Sequence, residues 1–281
     1  MNTYTLKKYH GLGNDYLVLD PAKNNISLQA RNIELLCQRN FGVGADGILY
    51  GPVMEGDKIN VQIYNPDGSE AEISGNGIRI FAKYLLDEGY VKDKKFNIYT
   101  SGTANEIEFL DDEGTNMKVN MGRASFKASE IPVTGLGDEI IDKKTSFNGK
   151  DLKITCLSVG NPHCIIVSDD VTPQAAKQLG PHIEGSDHFP HRINLALVKV
   201  DSRDHITAEI YERGAGYTLA SGTGSCAAAA ACYKLGLVDK KVTVTSPGGD
   251  LFVELDDNFN ITMTGTVCFI GAVTIAENFF A

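Results

Sequence analysis

Two segments, Lys58–Gly77 (KINVQIYNPDGSEAEISGNG) and His205–Gly224 (HITAEIYERGAGYTLASGTG), align without a gap at an offset of 147 residues, 58 to 205. Ile59 falls on Ile206, Ile63 on Ile210, Tyr64 on Tyr211, Asn65 on Glu212 and Ser74 on Ser221. The same offset carries GNDYLVL from Gly13 onto GNPHCII from Gly160, Gly89 onto Gly236 and Val91 onto Val238. An offset held constant from residue 13 to residue 238 marks an internal duplication. Its period is far too long for a solenoid, so the chain reads as two similar lobes.

Each copy repeats one order of elements. A strand with alternating apolar residues (INVQIY, ITAEIY) runs into a polar, glycine-containing loop. The loop ends in S-G-x-G and a helix follows, IRIFAKYLLDEG in one copy and SCAAAAACYKLG in the other, each stopping at a glycine suited to the position after a helix end. Two further helices are expected: SLQARNIELLCQRNFG with Ser27 as N-cap, and VTPQAAKQLG with Thr172 as N-cap and Pro173 at the first helical position. The remainder reads as short strands and turns. The fold class is α+β, two pseudo-symmetric lobes, each a mostly antiparallel sheet around a central helix. Residues 1–122 form the first lobe, joined by the C-terminal strand 267–281 pairing back onto it, and residues 123–266 form the second.

Composition narrows the function. Hydrophobic residues make up 42% and charged residues 22% of 281 residues, the balance of a globular protein. A net charge of −10 argues against a nucleic-acid surface, yet leaves room for a small anionic substrate. The N-terminal stretch has no apolar secretory core, and no run approaches the ~20 apolar residues of a membrane span, so a cytoplasmic protein without membrane partners is expected. The six cysteines (37, 156, 164, 226, 232 and 268) sit in apolar runs without C-x-x-C spacing, and read as buried free thiols in a reducing compartment rather than zinc ligands. GVGADG (42–47) matches G-x-G-x-x-G but follows a helix instead of a strand, which removes the dinucleotide reading. His182, His188 and His191 read as a polar loop rather than a metal site, LDDEG (110–114) as a solvated turn, and Ser221 lies outside any G-x-S-x-G elbow.

The chemistry concentrates at the two helix starts. Gly75-Asn76-Gly77 and Gly222-Thr223-Gly224 place backbone N–H groups at helix N-termini, which suit a carboxylate, although a single copy would read only as a tight turn. Inverting an acidic carbon centre needs one group to take a proton from one face and another to deliver one to the opposite face. A pair of equivalent lobes supplies that pair of groups. The residues in place are Ser74 and Ser221, and a hydroxyl is a poor carbon base beside a thiol, whose pKa starts near ~8.5.

With HGLGNDY, FGVGADG, NPDGSEAEISGNGIR, GNPHC, FPHRIN and ERGAGYTLASGTGS in view, the whole chain resembles the diaminopimelate epimerases, cofactor-independent enzymes of lysine and peptidoglycan biosynthesis. The resemblance implies two lobes closing on a substrate cleft, two-base proton transfer interconverting LL- and meso-diaminopimelate, and no cofactor or metal. Where that family carries two catalytic cysteines, this chain carries Ser74 and Ser221. The resemblance assigns Gly75, Asn76, Gly222 and Thr223 to the reacting carboxylate, and Asn14, Asn65, Asn161, Asn194 and Arg213 to the rest of the substrate. It assigns Glu212 and His163 to tuning the catalytic pair and holding an ammonium group. Relatives are often dimers, so a homodimer is expected. Tyr217, Ile193 and Ala196 depart from the family pattern. The expected state is an epimerase disabled at both acid–base positions. The alternatives are a non-catalytic diamino-acid-binding relative, a serine-dependent isomerase or dehydratase acting on another carboxylate, and a pyridoxal-independent racemase of another amino acid such as histidine.

Overall fold

The computed structural model describes residues 3–71 and 73–280. The chain divides into two compact units, Met1–Val119 with Gly265–Ala281, and Asn120–Thr264.

In the first unit the strand Thr3–Gly11 lies between Cys268–Ala276 and Asn14–Leu19, antiparallel to both. Asn14–Leu19 then runs parallel to Gly47–Glu55. A parallel joint needs a crossover, and helix α1 (Ala30–Cys37) provides it. Lys58–Tyr64 pairs antiparallel with Gly47–Glu55 and parallel with Lys95–Thr100, the second joint being crossed by helix α2 (Gly75–Asp87). Two more antiparallel strands, Thr103–Phe109 and Asn116–Arg123, follow.

The second unit repeats this plan. Pro162–Val167 runs parallel to Asn194–Ser202 across helix α3 (Pro173–Glu184), and His205–Glu212 runs parallel to Lys241–Ser246 across helix α4 (Gly222–Lys234). The duplication extends to register. Tyr16 faces Gly47 where His163 faces Asn194, Ile48 faces Tyr64 where Leu195 faces Tyr211, and Ile63 faces Ala71 where Ile210 faces Thr218.

The two central helices are buried for different reasons. Helix α2 sinks Ile78, Ile80, Phe81 and Leu85, and with them the whole of Arg79. Helix α4 is buried all round from Gly222 to Cys232, and its run Ala227–Ala231 is fully inaccessible. Alanine has the highest helix propensity and the small side chain that lets a helix lie close against its surroundings. Both helices end as expected, with Gly89 at φ 76° and Gly236 at φ 74°, conformations that cost a Cβ-bearing residue ~1 kcal/mol or more. Thr172 caps α3 through its side chain, which accepts from the Ala175 N–H, and Pro173 opens the helix.

Two expectations are corrected. Ser27 is not the N-cap of α1: the helix begins at Ala30, Gln29 holds the cap position at ψ 148°, and no side chain caps it. Ile26 and Leu28 pack into the first unit's core and keep this stretch extended, so the Ser27 hydroxyl is three residues from the helix start; its carbonyl accepts from Asn32 Nδ2 instead. Five cysteines are buried free thiols, but Cys268 is exposed, at the start of a strand paired among the described residues only with Thr3–Gly11. An apolar run beside a sheet edge need not be covered.

Gly180 in α3 supplies a packing prediction. In an ordinary helix, alanine in place of glycine gains ~1 kcal/mol. Here a Cβ would stand 2.3–2.6 Å from three atoms of the Tyr211 ring. The clash outweighs the propensity gain, and Gly180→Ala is expected to destabilise the protein by about 1–3 kcal/mol, read as a lower urea midpoint. An unchanged or raised midpoint would contradict this packing.

Candidate active site

Ser74 and Ser221 hold the same position in their units: each is the N-cap of a central helix. Ser74 Oγ accepts the Gly77 N–H at 3.0 Å, and Ser221 Oγ accepts the Gly224 N–H at 3.1 Å. Serine is among the best N-cap residues because its oxygen satisfies an amide the helix leaves orphaned. The third helical residue is glycine in both because a Cβ there would crowd the cap, 3.2 Å from Ser74 Oγ and 3.1 Å from Ser221 Oγ. Ser221 is buried and Ser74 half-buried.

In the first unit a chain of hydrogen bonds fixes this helix start. Arg79, fully buried one turn into α2, reaches back to the Gly75 carbonyl (3.2 Å) and Asn76 Oδ1 (2.8 Å). Asn76 Nδ2 donates to Asn14 Oδ1 (3.1 Å), and Asn14 Nδ2 donates to Asp46 Oδ2 (3.0 Å). Arg39 then binds Asp46 (2.6 Å) and Asp15 (2.7 Å) with one nitrogen, and Lys8 pairs with Asp15 at 2.8 Å. Burial would raise the Asp15 carboxyl, but Arg39 and Lys8 outweigh it and hold the group below the ordinary carboxylate range. Asp46 is pushed up, first by burial and then by the Asp15 charge beside it. GVGADG therefore serves as the loop that carries Asp46. Gly42 is required there because a Cβ would fall 1.8 Å from the Leu35 carbonyl.

The second unit builds the corresponding corner with other residues. Asn161, the counterpart of Asn14, donates to Thr223 Oγ1 at 3.3 Å, Thr223 being the counterpart of Asn76. Asn161 Oδ1 lies 2.8 Å from His163 Nε2, a contact made by the tautomer that carries its proton on Nε2. Asn194 donates to the Pro162 carbonyl and accepts the Arg213 N–H, both at 2.8 Å. The Arg213 guanidinium donates to the His191 carbonyl, and buried Glu184 accepts the Gly214 N–H at 2.8 Å while pairing with Arg192. These contacts fix the turn that carries Glu212 and Arg213, both half-buried. Tyr217 donates to Glu209 at 2.7 Å.

His163 is 1% exposed, and its Nδ1 has no hydrogen-bond partner among the described residues. Burial, with the Arg213 charge adding to it, lowers its pKa from 6.5 to about 3. The ring is thus neutral near pH 7. Because the unfolded chain binds this proton at higher pH than the native one, stability rises with pH through the window and is lost as pH falls from about 6.5 towards 3. The expected slope from this group reaches ~1.4 kcal/mol per pH unit within the window. It is measured by urea unfolding across that range. Loss of the slope in His163→Gln would confirm the source, and persistence of the full slope would refute it.

With this geometry in hand, the comparisons with known proteins are specific. Residues 6–127 and 155–270 match the family model described as diaminopimelate epimerase. The chain is 45% identical over 275 residues to "Diaminopimelate epimerase 2" of Nostoc sp., covering 98% of this chain and 96% of that protein. The chain belongs to the diaminopimelate epimerase family. A Clostridium perfringens diaminopimelate epimerase is 40% identical over 266 residues, with 94% and 96% of the two chains covered. Among solved structures, a hydroxyproline epimerase from Agrobacterium vitis superposes with a TM-score of 0.74 at 12% identity, over 98% of this chain and 93% of that one. A Bacillus anthracis phenazine biosynthesis protein of the PhzF family gives 0.69 at 16%, over 98% and 100%. At these identities the solved structures speak for the fold alone.

Within each unit, the residues that the resemblance to diaminopimelate epimerases pointed to fall together. In the first, Asn14, Ser74, Gly75 and Asn76 meet at one helix start. In the second, Asn161, His163, Ser221, Gly222 and Thr223 meet at the other, and Asn194 joins Arg213. Asn65 stands apart in a turn of its own, bonding Ser69 Oγ at 3.0 Å and accepting the Gly68 N–H. His163 contacts Asn161 rather than Ser221 in its hydrogen bonding, and so acts on the second helix start through Asn161. Arg79, Asp46, Glu184 and Tyr16 were not singled out from sequence. The sign for Arg79 was a guanidinium placed within the apolar stretch IRIFAKYLL. Tyr16 lies with its hydroxyl 3.3 Å from Ser74 Oγ and had no comparable sign.

Proposed function

We propose that this chain is a diaminopimelate epimerase in its substrate recognition, acting on LL- and meso-diaminopimelate by proton transfer at the α-carbon, with turnover held down by its two hydroxyls. The carrying observation is the repeated helix start: the same N-cap, the same glycine at the third helical position and the same amide-bearing neighbour, Asn14 in one unit and Asn161 in the other. A helix N-terminus stabilises a carboxylate through its amides and dipole, and the same field stabilises the carbanionic charge that develops beside that carboxylate. In this reading residues 74 and 221 are the two groups of the proton transfer. Arg213 and Asn194 take the distal end, where a guanidinium fork suits a carboxylate. By the family resemblance, Gly75, Asn76, Gly222 and Thr223 receive the reacting carboxylate, and Glu212 and His163 hold the ammonium group.

Each serine already accepts a helix amide and keeps its own proton for donation. It can hold a carboxylate by that proton, but it abstracts a carbon-bound proton poorly, because a hydroxyl is far less acidic than a thiol. The cap geometry therefore favours one second reading, a protein that binds a diamino acid without turning it over. The two readings share a ligand and differ in exchange. Calorimetric titration with LL- and meso-diaminopimelate tests the shared part, with single-site binding to the unaltered chain as the expected result. No binding of either isomer at millimolar concentration would sink both. Slow incorporation of solvent deuterium at the α-carbon separates the epimerase from the pure binder. The setting proposed is a cytoplasmic homodimer serving lysine and peptidoglycan precursor synthesis. No helix among the described residues is long and apolar enough to cross a membrane.

A further inference from the structure

We propose that Tyr16 is a positioning residue for the acid–base group at position 74, donating its phenolic hydrogen to whatever atom stands there and making the two halves of the catalytic pair chemically unequal. This inference rests on the epimerase reading for its purpose but not for its geometry.

Three observations carry it. The Tyr16 hydroxyl lies 3.3 Å from Ser74 Oγ, within hydrogen-bond range of the side chain that would exchange a proton with substrate. The ring is 7% exposed, so its direction is set by packing. The third observation is that space has been cleared for it. Tyr16 faces Gly47 across a parallel joint, and a Cβ on Gly47 would stand 2.5 Å from the Tyr64 carbonyl oxygen and 2.6 Å from Tyr16 Cε1. A side chain at 47 and the phenol in its present place are incompatible.

The other copy makes the opposite choice at the same register. His163, the counterpart of Tyr16, faces Asn194, the counterpart of Gly47. The smaller ring leaves room for the Asn194 side chain, which binds the Pro162 carbonyl and the Arg213 amide, while His163 turns Nε2 to Asn161. Tyrosine with glycine thus aims a donor at residue 74, and histidine with asparagine braces the substrate-binding turn near residue 221. Ser74 Oγ already accepts the Gly77 N–H, and a hydroxyl oxygen has a second lone pair for the phenol. A donor of this kind favours the deprotonated form of its partner, so it acts when residue 74 carries the proton-abstracting charge.

The test gives position 74 an atom whose ionisation can be followed. In the chain carrying Ser74→Cys and Ser221→Cys, the pH dependence of iodoacetamide alkylation is measured peptide by peptide by mass spectrometry, with Tyr16 and with Tyr16→Phe. The exposed Cys268 is an internal reference in every sample. Tyr16→Phe is expected to raise the pKa of the thiol at position 74 by about one unit, with the thiols at position 221 and at Cys268 unchanged. An unshifted thiol at position 74, or equal shifts at positions 74 and 221, would overturn the assignment. No diaminopimelate is present in this measurement. Failure of the thiol chain to epimerise would therefore count against the functional reading and leave the Tyr16 result standing, while an unshifted position 74 in an active thiol chain would do the reverse.

Discussion

Ser74→Cys combined with Ser221→Cys is expected to raise α-proton exchange of LL-diaminopimelate in D2O by about 10²–10⁴-fold, the range a well-matched general acid–base group contributes. The expectation follows from acidity and from place. Both side chains sit at the first turn of a buried helix, Ser221 2% exposed, where the helix dipole favours a negative charge and lowers a thiol pKa towards neutrality. The same field acts on a hydroxyl, whose starting acidity is too low to bring it into range. Sulfur is larger than oxygen, and the space is tight: Gly77 and Gly224 already approach the cap atoms closely enough that a Cβ would sit within 3.2 Å. The thiols will cap their helices less well, so a loss of about 1 kcal/mol in stability per cap is expected alongside the gain in rate. NMR of the substrate α-proton reads the exchange and urea unfolding reads the stability. Exchange by the unaltered chain at the rate of the double variant would show that serine is itself competent. No exchange by either, with ligand bound, would leave the binding-protein reading. Each single variant should stay near the unaltered rate of epimerisation, because inversion needs a proton taken on one face and another given on the opposite face, whereas exchange without inversion needs only one thiol.

Arg79→Met is expected to lower the unfolding free energy by about 3 kcal/mol and to weaken diaminopimelate binding by at least about tenfold. Arg79 has no exposure, and its guanidinium bonds the Gly75 carbonyl and the Asn76 side chain together. Methionine approximates its volume but leaves both acceptors buried without that donor. The loss then passes along the chain of contacts: Asn76 is released from one side, Asn14 loses a fixed neighbour, and the first turn of α2 no longer presents its amides in one arrangement. Arg79→Lys is the informative companion. It keeps the charge, but an ammonium lacks the planar fork that reaches two acceptors, so most of the loss should remain. Urea unfolding and calorimetric titration give the two quantities. Binding unchanged within twofold in a folded Arg79→Met would remove Arg79 from any part in the site.

Several features of the site were legible as linear patterns. The S-G-x-G pairs announced helix starts, and Gly89 and Gly236 announced helix ends, because capping is a contact between residues three or four apart. Thr172-Pro173 was legible for the same reason. Ser27 was misread because a hydroxyl before a helix was counted without knowing where the backbone turns, and that was decided by Ile26 and Leu28 packing into the core. Cys268 was misread because apolar company in sequence is not cover in space.

By itself, the sequence determined the duplication, the element order within each lobe, the two capped helices and the identity of the two unusual serines. All of these depend on the order of residues or on contacts within a turn. Tertiary structure alone decided the rest. The bonds Asn76–Asn14, Asn14–Asp46 and Asn161–Thr223 join residues 62, 32 and 62 positions apart: parallel pairing of Asn14–Leu19 with Gly47–Glu55 sets Asp46 beside Asn14, and the other two bonds tie an asparagine at or just before a strand to a helix start. The neutrality of His163, the burial of Arg79 and the reach of Tyr16 over Gly47 belong to the same class. They are properties of space left or filled by neighbours, and a register shift of one residue would turn the strand residues Tyr16 and His163 to the other face of their sheets.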